Sequence, residues 1–262
     1  MTDNDYNEIK KWQYQTLFYN NEYKNDFFNN IDENIIINNT ECFLFFHEST
    51  KKIFWTSKSI NSLISLLKDS LNKTKEDFQL QIASDENINN DLENLIPTLK
   101  KIGGKVTFHN VGYKCNDLKI LKDLEGICDY EDNLRESIIK ITYDSLGKEK
   151  FGMSEKEIAE FAKDTNNKIF ISKTSNVVNG VIYTTIYNNG NSIFIRGLAV
   201  DNIYRGLGLS KKLLSKAFDY AKNKGVINSM LWVEKDNTVA INLYEKFNYV
   251  PYGEEEVTVK FN

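Results

Sequence analysis

Two glycines in a short turn carry the clearest chemical signal in this chain. Residues 205–210 read RGLGLS, between an apolar run at 193–195 and an amphipathic run at 211–224. Glycine lets the backbone approach a ligand closely, and the first turn of a helix has unpaired N–H groups that attract anions. The turn therefore predicts a cradle for a diphosphate, although the glycines alone leave an ordinary strand-to-helix turn as the alternative. The P-loop and the dinucleotide fingerprint are excluded, because the Gly-Lys-Ser/Thr ending and a third glycine are missing.

A second motif follows the short apolar strand pattern at residues 230–233. Asn237 is a residue type that caps helices, Tyr244 lies on the helix that follows, and Asn248 stands where a left-handed residue closes a helix. A tyrosine with an ordinary pKa of about 10 is protonated at neutral pH and can act as an acid. From the residues alone, a core tyrosine on a C-terminal helix is the simpler interpretation.

Taken together, these residues resemble the GCN5-related N-acetyltransferase (GNAT) superfamily. The resemblance rests on Leu198-Ala199-Val200, on the RGLGLS turn, and on the pattern Asn237-x-x-Ala240-x-x-x-Tyr244-x-x-Phe247-Asn248-Tyr249. It covers roughly residues 126–262 and does not visibly extend over the first 115. Ser210 stands where the family usually has Gly or Ala, and Asn248 replaces a usual Gly; both departures are mild.

The resemblance implies that the chain binds acetyl-CoA as a co-substrate and needs no metal. Residues 198–200 would pair with the pantetheine arm as an added strand, beside a bulge that opens a cleft. The expected cofactor-binding residues are Leu198, Ala199, Val200, Arg205, Gly206, Leu207, Gly208, Leu209, Ser210 and Asn237. For Asn237, binding pantetheine and capping its helix remain equal alternatives. Tyr244 is implied as the general acid for the departing thiolate, a role typically worth about 10²–10⁴-fold in rate.

The general base is less clearly indicated than the acid. The strand pattern at residues 193–197 has no carboxylate, and its Arg196 cannot deprotonate. Glu234 and Asp236 follow the next strand; Glu234 is the candidate base, with a solvated loop charge as the alternative for each. The run Glu254-Glu255-Glu256 precedes the last strand, where an acidic lip would favour a cationic amine and a solvated turn is the simpler interpretation.

Composition favours a cytoplasmic enzyme with reduced thiols. Three widely spaced cysteines, two histidines and a net charge of −4 give no metal spacing and argue against nucleic acid as the main partner. No apolar run has membrane-spanning length, and the N-terminus is unlike a signal peptide, so no membrane role is expected. A homodimer is left open.

The second half predicts the elements that must position these residues. Helices are expected at 133–146 and 154–163, the latter opened by a capping box of Ser154 and Glu157. Strands are expected at 168–172, 181–186 and 193–200, with turns at 179–180 and 189–191. These meander strands should form an antiparallel sheet ahead of the cofactor cleft.

The first half predicts a different succession of elements. A helix is expected over residues 4–30, with Trp12, Tyr14, Phe18 and Tyr19 on one buried face. A hairpin at 41–56, a helix at 60–71, a strand at 78–82, a helix at 88–102 and a strand from 105 follow. This order echoes the second half of a GNAT domain, so a degenerate GNAT-like copy and an unrelated α/β lobe both remain open.

We therefore predict an α/β (α+β) protein with a mixed, mostly antiparallel sheet flanked by helices. Residues 1–115 form an N-terminal α/β lobe without a CoA site, and residues 116–262 form the acetyltransferase domain. The expected function is direct transfer of acetyl from acetyl-CoA to a primary amine of a small molecule or protein. The alternative is a non-catalytic acyl-CoA-binding or regulatory module.

Overall fold

The computed structural model describes residues 14–15, 35–47, 51–71, 77–84, 89–148, 153–175, 177–187 and 190–261. The chain divides into two compact units, one of residues 1–111 with 253–262 and one of residues 112–252. From the sequence, residues 253–262 are expected to belong to the second domain. In the structure they group with the first unit, because residues 255–261 pair antiparallel with residues 78–84.

The regular elements follow in chain order. They are β1 (Tyr14–Gln15), β2 (Ile35–Asn38), β3 (Cys42–His47), β4 (Lys52–Ser57), α1 (Ile60–Leu71), β5 (Phe78–Ser84), α2 (Asn89–Lys101), β6 (Lys105–Cys115), β7 (Ile127–Asp129), α3 (Arg135–Leu146), α4 (Glu155–Lys163), β8 (Asn167–Thr174), β9 (Val177–Tyr187), β10 (Ser192–Val200), α5 (Leu209–Asn223), β11 (Asn228–Glu234), α6 (Thr238–Glu245) and β12 (Val250–Phe261). Short 3₁₀ turns at Asp132–Leu134 and Asn202–Tyr204 precede α3 and α5.

The first unit is a mixed sheet in the order β2-β3-β4-β5-β12-β6. The predicted hairpin is confirmed as the antiparallel pair β3–β4, and β4 runs parallel to β5 across the crossover helix α1. Helix α1 buries Leu63, Leu66 and Leu67, the spacing that predicted it, in a core shared with α2 and β12. The helix expected over residues 4–30 is wrong at Tyr14–Gln15, which pair with β4 as a strand. The rest of that prediction lies outside the described residues.

The second unit has the sheet order β6-β11-β10-β9-β8-β7. Strands β8, β9 and β10 form the predicted antiparallel meander, whereas β10 runs parallel to β11. Ile169 and Ile171 pack with α3 and α4, while Phe170 between them contacts Tyr220 of α5. Because successive side chains of a strand alternate, α5 covers one face of this sheet and α3 and α4 cover the other. The prediction of a mostly antiparallel sheet flanked by helices is confirmed.

Local capping signals correctly predicted two helix ends in the second unit. The capping box is confirmed: the Ser154 hydroxyl accepts from the Glu157 N–H, and the Glu157 carboxylate accepts from the Ser154 N–H at 2.7 Å. Asn248 has the expected left-handed conformation, with φ 62°. The turn predicted at residues 179–180 is wrong, because both residues lie inside β9. The chain turns at Ser175, which has a φ of 48°.

Gly180 serves close packing rather than a turn. A Cβ at this position would lie 2.9 Å from Cδ1 of Leu213 on α5 and 3.3 Å from the carbonyl oxygen of Ala199. We expect Gly180→Ala to lower the free energy of unfolding by about 1–3 kcal/mol, the usual cost of overpacking. Urea unfolding of Gly180→Ala, Leu213→Ala and the double variant checks this. The double variant should lose less stability than the sum of the single ones, and strict additivity would contradict the packing argument.

No helix in the described ranges is both long and apolar enough to cross a bilayer. The three cysteines are free thiols, and the described residues contain no cluster of three His, Cys, Asp or Glu side chains arranged for a metal.

Candidate functional site

Strands β10 and β11 are paired along only the first part of their length. They pair only from Ser192 to Ile195, against Asn228 to Leu231, although β10 continues to Val200 and β11 to Glu234. The register between β10 and β9 shifts at the same place, between Ile195 and Gly197. A bulge bends its strand, so the sheet of the second unit opens between the last residues of these two strands.

Residues 198–200 lie on the β10 side of this opening and stay paired with β9. Ala199 is buried, whereas Leu198 and Val200 are half-buried. The carbonyl oxygen of Val200 accepts from the Ser145 hydroxyl at 3.1 Å and from Nε of Arg205 at 3.2 Å. Arg205, the first residue of the RGLGLS turn, is thereby bonded to the end of β10.

The glycine turn is open and its helix is uncapped. Gly206 and Gly208 have φ values of 80° and 81°, and no heavy atom of the described residues lies within 4 Å of a Cβ built on either. Helix α5 begins at Leu209, and its N-cap residue, Gly208, has no side chain that could cap the first N–H groups. Unpaired N–H groups facing free space, with the positive end of a 15-residue helix behind them, can hold an anion.

The lysines at the start of α5 differ in their surroundings. Nζ of Lys212 lies 2.6 Å from Oδ2 of Asp123 and 3.4 Å from the carbonyl oxygen of Glu125. The hydrogen bond from Lys212 lowers the pKa of Asp123. Lys212 is therefore engaged with the segment before β7, whereas Lys211 is exposed.

Tyr244 is buried on α6. Its ring meets that of Tyr249 edge to face at 5.5 Å, and burial raises its pKa to about 12. The Tyr249 hydroxyl is 2.5 Å from Oγ of Ser229, which fixes the ring that supports Tyr244. The Tyr244 hydroxyl thus stays protonated at every pH where an acetyl transfer would be studied.

Asn237 caps α6 with its side chain. Oδ1 of Asn237 accepts from the Ala240 N–H at 3.1 Å, so capping is established for the side-chain oxygen. At the other end of the helix, Nδ2 of Asn248 donates to Oδ2 of Asp117 at 3.1 Å. These two contacts fix the helix that carries Tyr244.

The candidate bases lie at the end of β11. Glu234 is half-buried and shares a face of the strand with Met230 and Trp232, while Asp236 is exposed in the following turn. The structure places Glu234 on the β11 side of the opening and Leu198, Ala199 and Val200 on the β10 side.

The glutamate run 254–256 lies inside β12, not before it, which corrects its predicted place. It belongs to the first unit, where Glu255 is 2.5 Å from Nε2 of His109 and Glu256 accepts from the Gln81 amide. Two of the three carboxylates therefore have partners within that unit.

A group of half-buried apolar side chains beside the opening was not predicted from the sequence. They are Tyr187, Phe194, Met230 and Trp232. Alternation along residues 228–234 was the available signal, because Ser229, Leu231 and Val233 are buried while the residues between them are not.

The buried tyrosines make stability depend on pH at the alkaline end. Burial raises the pKa values of Tyr244, Tyr249 and Tyr183 above the ordinary 10.0. A pKa that is higher in the folded state gives stability that is complete below pH 10 and lost as pH rises further. We expect unfolding free energies from urea titrations to be insensitive to these groups up to about pH 9 and to fall above about pH 10. Tyr244→Phe should remove about 2 kcal/mol of that fall by about pH 12; an unchanged slope would contradict the burial of its hydroxyl.

Comparison with known proteins supports the interpretation that the geometry suggests. Residues 134–249 match the model of the Acetyltransferase (GNAT) family. This match spans the meander, the glycine turn and both site helices, α5 and α6. At these residues the chain is therefore similar to a GNAT acetyltransferase domain.

Two curated relatives match over a short stretch. N-alpha-acetyltransferase 30 of Saccharomyces cerevisiae is 39% identical over 57 residues, which are 22% of this chain and 32% of that protein. N-alpha-acetyltransferase 30 of Schizosaccharomyces pombe is 36% identical over 59 residues, 22% of this chain and 39% of that protein. The chain thus spans between about three and four tenths of the length of these relatives.

Solved structures match over most of the chain. A conserved protein of unknown function from Staphylococcus epidermidis has a TM-score of 0.62 at 16% identity, with 86% of this chain and 93% of that one covered. A GCN5-related N-acetyltransferase from Kribbella flavida has a TM-score of 0.55 at 12% identity, with 91% and 93% covered. A putative GNAT-family acetyltransferase from Novosphingobium aromaticivorans has 0.54 at 12%, with 89% and 93% covered. At these identities the likeness is one of fold.

Proposed function

We propose that this chain transfers acetyl from acetyl-CoA directly to a primary amine. The observation that carries the proposal is the open glycine turn at the N-terminus of α5, which follows β10 at the place where β10 and β11 diverge. A buried tyrosine, Tyr244, lies on α6, the helix that follows β11. Bound acetyl-CoA would supply an activated acetyl group as a thioester. The protein's own residues would then bind the phosphates, orient the thioester and assist the leaving sulfur.

The binding part of the proposal assigns a task to each side of the opening. The N–H groups of Gly206, Gly208, Leu209 and Ser210 would hold the pyrophosphate, with Arg205 adding charge and Leu207 at the rim of the turn. The diverging end of β10 at Leu198, Ala199 and Val200 would hold the pantetheine arm, and the Asn237 side chain would contribute through its amide nitrogen, since its oxygen caps α6.

The proton-transfer part of the proposal rests on Tyr244. A phenol with a pKa of about 12 is a weaker acid than a thiol, whose ordinary pKa is about 8.5. Complete proton transfer to a thiolate is therefore uphill, and we propose that Tyr244 stabilises the departing sulfur mainly by donating a hydrogen bond. A hydrogen bond to a charged group is worth about 1.5–3 kcal/mol, so this role is substantial without full transfer.

An acceptor with a low amine pKa suits the weak base of this site. No carboxylate lies on residues 192–200, and Glu234 is the candidate base on β11. A polypeptide α-amine has a pKa of about 8, whereas a lysine side chain has about 10.4, so the α-amine is far more often neutral near pH 7.5. The similarity to N-alpha-acetyltransferase 30 supports the same choice. We therefore propose the α-amine of a polypeptide as the first acceptor to test.

The test is an acetylation assay over a panel of amines. Mass spectrometry of peptides, polyamines and amino sugars incubated with acetyl-CoA and the full chain should show transfer to at least one primary amine. Binding of acetyl-CoA without transfer to any member would instead favour the second candidate, a non-catalytic acyl-CoA-binding or regulatory module.

We further propose that the first unit binds no CoA. Its crossover β4-α1-β5 has the same order as β10-α5-β11, which favours a degenerate GNAT-like copy over an unrelated α/β lobe. The N-terminus of α1, however, is already occupied by side chains of the same unit. Oγ of Ser59 accepts from the Ser62 N–H at 3.1 Å, and the Ser62 hydroxyl donates to the Glu41 carboxylate at 2.6 Å. A resident carboxylate where a phosphate would lie disfavours a second anion.

Calorimetric titration is therefore expected to give one CoA per chain. Glu41→Gln removes the resident charge and should leave that stoichiometry unchanged, because the serine cap remains. Two equivalents of CoA per wild-type chain would contradict the assignment of the first unit.

A further inference from the structure

Four half-buried apolar side chains form a continuous surface on one face of the second unit's sheet. We call Tyr187, Phe194, Met230 and Trp232 the aromatic floor. Phe194 and Met230 are partners across β10 and β11, and the Tyr187 ring lies 6.3 Å from that of Phe194. The Tyr187 hydroxyl contacts Sδ of Met230 at 2.5 Å. Trp232, two residues beyond Met230 on the same face, lies 6.2 Å from the ring of Tyr252.

Side chains on the opposite face of the same strands are much less exposed than the residues of the aromatic floor. Ile193, Ile195 and Leu231 alternate with the floor residues and are at most 3% exposed. Phe194, Met230 and Trp232 all retain partial exposure. Large apolar side chains that stay partly exposed side by side mark a binding surface more often than a core.

The floor also lies at the place where an acceptor must arrive. Phe194 and Met230 stand one rung before Ile195 and Leu231, the last pair of the β10–β11 ladder. Trp232 lies beyond that pair, where the strands have parted. A molecule resting on the floor is therefore next to the opening in which the thioester would lie.

The charged residues around the aromatic floor limit the kinds of acceptor that can bind there. The guanidinium of Arg196 stands 4.8 Å from the centre of the Phe194 ring, and its Nε donates to the Thr185 hydroxyl at 3.2 Å. A cation fixed at the floor repels polycations such as polyamines. Glu234, on the same face as Met230 and Trp232, offers a carboxylate to a single ammonium group.

We propose that the aromatic floor binds a large, uncharged apolar group carried next to the acceptor amine, and so selects the acceptor. This inference rests on the proposed acetyl transfer and adds the chemistry of the substrate to it. For a polypeptide acceptor, the group is the side chain of the first residue, with its α-amine directed to Glu234 and the opening.

The experiment compares otherwise identical peptides that begin with Phe, Leu, Gly or Lys, with spermidine as a polycation. For the full chain, kcat/KM should be about ten- to a hundredfold higher with Phe or Leu first than with Gly, the range expected for burying one large apolar side chain. Peptides beginning with Lys and spermidine should be the poorest acceptors. Equal rates for Phe and Gly, or a preference for spermidine, would overturn the proposal.

Single substitutions in the aromatic floor distinguish a loss of acceptor recognition from a loss of folding. Trp232→Ala and Phe194→Ala should each lose most of the preference for Phe over Gly, while acetyl-CoA affinity and the rate with the Gly peptide change by less than about threefold. Val177→Ala, a matched loss of a 54% exposed apolar side chain elsewhere in the same unit, should keep the preference. A preference that survives both floor variants would also overturn the proposal.

A measurement of peptide binding at equilibrium tests the role of the aromatic floor without depending on turnover. Calorimetry with CoA present should show tighter binding of the Phe peptide than of the Gly peptide, lost in Trp232→Ala. If no amine is acetylated, the proposed function fails, while this binding preference still decides the role of the floor.

Discussion

Gly208→Glu is expected to reduce acetyl-CoA affinity by about a hundredfold or more, as measured by calorimetry. The substitution places a side chain and a negative charge in the open space in front of the uncapped α5 N-terminus, where the pyrophosphate is proposed to bind. A hundredfold loss corresponds to about 2.7 kcal/mol. Circular dichroism should show that the fold survives.

The same helix supplies the matched control. Gly225 follows the C-terminal end of α5, has a φ of 78° and, like Gly208, has nothing within 4 Å of an added Cβ. Gly225→Glu introduces the same charge and the same left-handed strain, about 1–2 kcal/mol, far from the glycine turn. It should bind acetyl-CoA like the wild type. Undiminished affinity in Gly208→Glu would remove the basis of the phosphate assignment.

Tyr244→Phe is expected to lower turnover about ten- to a hundredfold at saturating substrates, with acetyl-CoA affinity nearly unchanged. The change keeps the ring against Tyr249 and removes only the hydroxyl. The expected loss of turnover corresponds to removing the hydrogen bond that the Tyr244 hydroxyl would donate to the leaving sulfur as negative charge develops there. Such a hydrogen bond is worth about 1.5–3 kcal/mol.

Tyr249→Phe controls for the loss of a buried hydroxyl. Its hydroxyl contacts Ser229, so this variant should lose stability while retaining its turnover per folded molecule. Wild-type turnover in Tyr244→Phe would mean that Tyr244 only packs. Because the pKa of Tyr244 is raised to about 12, its ionisation should not appear in the rate profile below about pH 10.

Local sequence signals located most elements of the second unit. The capping box at Ser154, the cap at Asn237 and the left-handed Asn248 each depend on a few neighbouring residues, and all three are present in the structure. The turn expected at residues 179–180 failed for a tertiary reason. Gly180 is required by the approach of Leu213, and a glycine needed for packing has the same sequence signature as one needed for a turn.

The site shows the same division between local and long-range information. The RGLGLS turn and Tyr244 were readable because the first is a contiguous motif and the second stands at a fixed spacing from Asn237. Two other features join residues that are far apart in the chain. Lys212 bonds Asp123, which is 89 positions away, and the aromatic floor is assembled from three different strands. Such pairings depend on strand register, which no local pattern specifies.

The sequence by itself determined most elements of the second unit and singled out the glycine turn and Tyr244 as site candidates, because backbone conformation and capping are set by near neighbours. Only the tertiary structure decided that residues 253–262 complete the first unit, that β10 and β11 part after Ile195, and which apolar side chains remain accessible. The physical reason is that strand pairing and burial are gained between segments distant in the chain, and their free energy depends on which partners the whole fold brings together.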